Sequence, residues 1–138
     1  MPAPHVWLKE AIETATGANA WPVGVTDPQS APPFIIYARE ATTREQVLAD
    51  TFDDTPSQDQ INPVARFLVA IYADDYVQAW DLCGQVTADI HKFAGTVDGT
   101  TIEHCLVLDE RDGQPDYMEG RETPTFTVEL SVEIRWNE

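Results

Sequence analysis

The sequence predicts an α+β domain: an antiparallel four-stranded sheet with two main helices packed on it, in the order α-β-β-α-β-β. Three observations lead there. Between Val64 and Phe93 the apolar pattern changes from strand-like alternation to helical spacing, as where a strand runs into a helix. From Thr125 to Trp136 apolar and polar residues alternate without a break. Strands also follow one another with no helix between them, which favours antiparallel pairing. With 138 residues the chain is long enough for one core, so residues 1–138 read as a single domain.

Pro2 and Pro4 lead into a helix over His5–Thr16, with Val6 or Leu8, Ile12 and Ala15 as its apolar stripe and Gly17 as its stop. The following ANAWPVGVTDPQSAPP is rich in Pro, Gly and Asn and reads as a loop, with Trp21 as a lid over the edge of the core. Phe34–Arg39, FIIYAR, is a strand: aromatic and β-branched, behind two prolines that stop any helix. Residues 41–63 turn polar and acidic, and a segment of that length reads as a solvated excursion or an interface arm.

Val64–Ala73 is the central strand, with Phe67, Val69 and Ile71 on one face and Arg66, Leu68, Ala70 and Tyr72 on the other. Asp74 or Asp75 caps the next helix, whose stripe is Tyr76, Trp80, Cys83, Val86, Ile90 and Phe93, with Gly95 as its stop. Thr100–Leu108 alternates, placing Ile102, His104, Leu106 and Leu108 against Thr101, Glu103, Cys105 and Val107. DERDGQPDYMEGRETP then reads as a second long polar loop. In the closing strand Phe126, Val128, Leu130, Val132, Ile134 and Trp136 point one way and the polar residues the other.

Charge narrows function more than any motif does. Twenty-four acidic residues oppose eight basic ones, a net charge of −16, and only Lys9 and Lys92 are lysines. Such a surface repels polyanions and anionic membranes alike. No apolar run reaches the roughly 20 residues that span a bilayer, and MPAPHVWLKE does not look like a signal peptide. The expected location is therefore a cytoplasm or an assembly built there. Cys83 and Cys105 form no CxxC spacing and read as small buried thiols. His5, His91 and His104 are dispersed, and His104 reads as a core or edge histidine rather than a base. No Gly-rich phosphate loop, GxSxG, HExxH or EF-hand spacing occurs, so the expectation is of no enzyme, no cofactor and no metal.

The order of elements, with PFIIYAR, a strand ending in Tyr72-Ala73, the Ala79–Ile90 helix and the closing TFTVELSVEIRW, resembles the tail terminator (tail completion) proteins of long-tailed phages and archaeal tailed viruses. The resemblance runs from Leu8 to Trp136 and is one of layout. It implies a hexameric ring that caps the tail tube and joins it to the head connector. The implied partners are other copies of itself, the tail tube protein and a neck or connector protein. Virion DNA would pass through without specific binding, and no membrane would be involved. The implied location is the tail or neck of a virion assembled in the host cytoplasm.

The family has no catalytic residues to carry over. The residues expected at a subunit or tube interface, or in the lumen, are Glu45, Asp50, Asp53 and Asp54 in the first loop and Asp109, Glu110, Arg111 and Asp112 in the second. Six copies would carry about −96 before counterions, and an acidic lumen would let DNA slide. High acid with almost no lysine also suggests a halophilic host, where salt screens self-repulsion. The alternatives are an adjacent head-completion or stopper protein of the neck, and a non-virion acidic adaptor or DNA mimic.

Overall fold

The computed structural model describes residues 4–23, 32–43, 63–97, 99–113 and 125–137. In chain order the elements are α1 (Pro4–Thr16), β1 (Asn19–Pro22), β2 (Phe34–Thr43), β3 (Val64–Ala73), α2 (Tyr76–Ile90), β4 (Gly95–Val97), β5 (Thr100–Asp112) and β6 (Phe126–Asn137). The strands form one six-stranded sheet in the order β1-β2-β3-β6-β5-β4, curled into a half-barrel. The expected antiparallel four-stranded sheet is thus corrected twice. Two short strands extend it at its edges, and β1 runs parallel to β2, which makes the sheet mixed.

Both added strands lie where periodicity carries no signal. β1 is four residues, NAWP, inside a stretch whose Pro, Gly and Asn content marks a loop. It pairs through Asn19–Phe34 to Pro22–Tyr37, a partnership no local pattern records. β4 is three residues, paired with Thr100–Ile102 across a turn in which Gly99 takes φ +81. The β1 edge is blunted: the Ala20 N–H donates to Glu13 at 3.1 Å, and Pro22 has no N–H to offer. Glu13 also accepts from Lys9 at 2.8 Å. Burial opposes its ionisation, but those two donors and the Lys9 charge outweigh it and hold its carboxyl below the ordinary value.

The interior strands follow the predicted faces. Phe67, Val69 and Ile71 of β3 and Val128, Leu130, Val132 and Ile134 of β6 are fully buried. Both helices lie on that face. Trp7, Leu8 and Ile12 of α1 and Ala79, Leu82, Cys83, Val86 and Ile90 of α2 complete a single core with them. No helix among the described residues is long and apolar enough to cross a membrane.

β5 departs from its predicted alternation because its register against β6 slips twice, between Ile102 and His104 and between Val107 and Asp109. Each bulge adds a residue and flips the faces of everything beyond it. Ile102, Cys105, Val107, Glu110 and Asp112 pair with Trp136, Ile134, Val132, Leu130 and Val128 and so share the core face. His104, Leu106, Asp109 and Arg111 lie on the other face. Asp109–Asp112 is therefore strand and not the start of a loop, which corrects the boundary expected at Leu108. Just beyond it Gly113 donates its N–H to the Thr127 carbonyl at 2.8 Å, and a Cβ there would stand 3.0 Å from Cγ2 of Thr127, so that a larger residue would push the Thr127 side chain aside.

At the start of α2 the cap is Asp75, whose carboxylate accepts from Val77 N–H at 2.7 Å and Gln78 N–H at 3.1 Å. The helix ends at Ile90, before the expected Phe93, and Lys92 rather than Gly95 makes the turn with φ +65. That turn lays His91–Phe93 along β5. The Lys92 N–H donates to the Cys105 carbonyl at 2.7 Å, the Cys105 N–H to the Phe93 carbonyl at 3.0 Å, and the Val107 N–H to His91 Nδ1 at 3.0 Å. Phe93 stacks on Trp7 with ring centroids 4.9 Å apart, tying both helix ends together.

A left-handed conformation costs a non-glycine residue about 1 kcal/mol, and the Lys92 side chain is exposed. Lys92→Gly is expected to raise unfolding free energy by about 0.5–1 kcal/mol, read as a higher urea midpoint at unchanged slope.

Candidate functional site

The second predicted cluster lies on β5, and the alternation of the strand splits it between two faces. On the helix side, Asp112 accepts from Trp80 Nε1–H at 2.9 Å and from the Tyr76 hydroxyl at 3.1 Å. Glu110 accepts from the Thr87 hydroxyl at 2.8 Å. These two carboxylates clamp one flank of α2 to the end of β5. Tyr76 and Trp80, expected in the apolar stripe, sit on this flank, because each carries a polar tip that needs an acceptor. Tyr76 also sets its ring edge-on to Phe126 at 6.2 Å.

Cys83 lies beneath the clamp. Burial pushes its thiol up to about 12, helped by the charge of and a hydrogen bond to Glu110. Burial alone does the same for Cys105, also to about 12. Both cysteines are free and buried, and both stay protonated as packing groups.

On the opposite face, which neither helix covers, Arg111 reaches Asp109 at 2.8 Å, the Ser131 hydroxyl at 3.2 Å and Glu129 at 3.5 Å. Glu133 stands 3.3 Å from His104 and 3.6 Å from Arg66. His104 is thus a half-buried member of this outer face. Across β1–β3 the same face turns apolar. Phe34 stacks on Tyr72 with centroids 4.8 Å apart, and Trp21 tilts against Phe34 at 6.0 Å. Trp21 therefore covers the outer face and not the core edge, since its register partner is the outward Ile36.

Arg39 closes the open end of the core. Its guanidinium lies 5.4 Å from the Phe67 ring and 5.8 Å from the Trp136 ring, and it reaches His5 Nδ1 at 3.4 Å. Burial and the Arg39 charge together hold the His5 imidazole below its usual value.

Of the predicted site residues, Asp109, Glu110, Arg111 and Asp112 are brought together on one strand, where each has a structural partner. Glu45, Asp50, Asp53 and Asp54 lie outside the described residues. No group of three or more His, Cys, Asp or Glu among the described residues could hold a metal. The outer-face patch of Trp21, Phe34, Ile36, Leu68 and Tyr72 was missed as a unit, although Leu68 and Tyr72 were read on the second face of their strand. Its signal in the sequence is that a strand apolar on both faces has two things to cover.

No family model and no curated protein matches the chain. Among solved structures, the fold matches a chain of one described as the virion of a native gene transfer agent (GTA) particle. The match has a TM-score of 0.59 at 10% identity and covers 92% of this chain and 84% of that one. At that identity the likeness shows a shared fold.

Removing the Asp112 acceptor leaves Tyr76 and Trp80 to water and frees the first turns of α2. Asp112→Ala is expected to cost about 1 kcal/mol in urea unfolding, with faster amide exchange confined to the start of α2 and the end of β5. Asp109→Ala, on the exposed face, is expected to change stability by less than about 0.5 kcal/mol.

Proposed function

We propose that this chain is a structural subunit of a virion that closes into a ring at the end of a tail tube, where it stops tube growth and meets the connector. The observation that carries the reading is the fold likeness to a chain of a GTA virion, which spans 92% of this chain. The sequence layout, which resembles tail terminators from Leu8 to Trp136, agrees with it. In this reading the partners are further copies of the chain, the tube protein and a neck protein, and no cofactor or catalytic step is involved. The charge fits passage of DNA: a ring built from subunits of −16 repels phosphates from its walls.

The same charge makes salt part of the test. Self-repulsion among subunits falls as the screening length shrinks from about 10 Å at 0.1 M to about 3 Å at 1 M. Light scattering and negative-stain images in molar KCl are expected to show a ring of about six copies, either free or on the ends of purified tail tubes. The thermal midpoint is expected to rise with KCl. A chain that stays monomeric and also fails to bind tubes contradicts the proposal.

A further inference from the structure

Arg39 is placed by a bulge. β2 pairs Arg39 with Phe67 and then, after a register slip at Glu40, Thr42 with Ala65. Opposed residues share a face, so Arg39 and Thr42 both stand on the side of the buried Phe67 and Ala65, which an unbroken strand would not allow. The guanidinium is then held from several sides. It lies over the Phe67 ring at 5.4 Å and the Trp136 ring at 5.8 Å, and it donates to the Thr42 hydroxyl at 3.3 Å. Its second terminal nitrogen lies 3.4 Å from Nδ1 of His5, in the first turn of α1.

That last contact exists in one protonation state. A guanidinium only donates, so His5 Nδ1 accepts, and the imidazole is neutral with its proton on Nε2. A proton on Nδ1 would set two donors and two positive charges against each other. The first turn of a helix is also its positive end, which disfavours an imidazolium there. Lys9 stands one turn further along α1, held by Glu13 at 2.8 Å.

The other titratable groups at this end do not offset that repulsion. Tyr37, on the same face of β2, is buried, and burial pushes its hydroxyl above its ordinary value, so it stays neutral. Glu10 of α1 and Glu40, the bulged residue of β2, are exposed. From β3 and β6 the Phe67 and Trp136 rings face Arg39.

We propose that His5 and Arg39 form a pH-sensitive latch, which holds the first turn of α1 over the open end of the core while the imidazole is neutral and lets go when it takes a proton. The latch belongs to the single chain and does not depend on the ring. Burial and the Arg39 charge hold His5 below its ordinary value, so as pH falls the unfolded chain binds the proton first. The stability it contributes is whole above about pH 6.5 and is lost as pH drops through the lower folded value.

The test uses the full chain in about 0.1 M KCl, at pH 7.5 and pH 5, with NMR titration between them. In the wild type the His5 ring is expected to titrate below 6.5, and the Nε–H signal of Arg39 to move with the same midpoint. Hydroxyl-radical reactivity of Pro4, buried in the first turn of α1, is expected to rise severalfold at pH 5. His5→Gln keeps a neutral acceptor at every pH, and it is expected to abolish both the Arg39 movement and the rise at Pro4. Arg39→Gln is expected to bring the His5 midpoint back toward its ordinary value. Should His5→Gln fail to fold, judged by circular dichroism, His5→Asn takes its place. Pro4 reactivity that is equal at the two pH values, a rise that persists in the His5 variant, or a His5 midpoint unmoved by Arg39→Gln overturns the latch.

Discussion

Twice along β5 the register against β6 slips by one residue, and the side on which each residue between the slips stands depends on them. Without them the alternation read from Thr100 to Leu108 would have continued, and Cys105 and Val107 would have faced outward. With them, Cys105 and Val107 fill the core beside Ile134 and Val132, and the strand goes on to deliver Glu110 and Asp112 to the flank of α2. The second slip restores the original alternation, so that Glu110 and Asp112 stand on the helix side and Asp109 and Arg111 on the outer face, where they join Glu129 and Ser131 in a surface network.

The parts of this fold that were legible in the sequence are those whose burial is one-sided and uninterrupted. β6 alternates over its whole length, and β3 keeps Phe67, Val69 and Ile71 on one face; both are found as read. α1 shows its Ile12 stripe and its Gly17 stop, with φ +72 at that glycine. The parts that were not legible fail for separate physical reasons. β1 and β4 are too short to show a period, and their pairing partners are set by tertiary structure. A bulge leaves no mark in composition, so an alternating pattern cannot reveal where it flips. The helix end at Lys92 was hidden because a lysine holds the left-handed turn that glycine usually takes.

For the candidate site, the sequence singled out Asp109–Asp112 as the start of an acidic loop; the structure places them on β5, where Asp112 holds Trp80 and Tyr76, Glu110 holds Thr87, and Asp109 pairs with Arg111.

The central claim is that the chain is a structural subunit that assembles with further copies of itself. Hydroxyl-radical footprinting of the protein before and after assembly tests this most directly. Exposed residues at the subunit contact are expected to lose reactivity on assembly, while Trp7, buried on α1 against Phe93, stays unchanged. A reactivity pattern identical in the free and assembled protein would contradict the account.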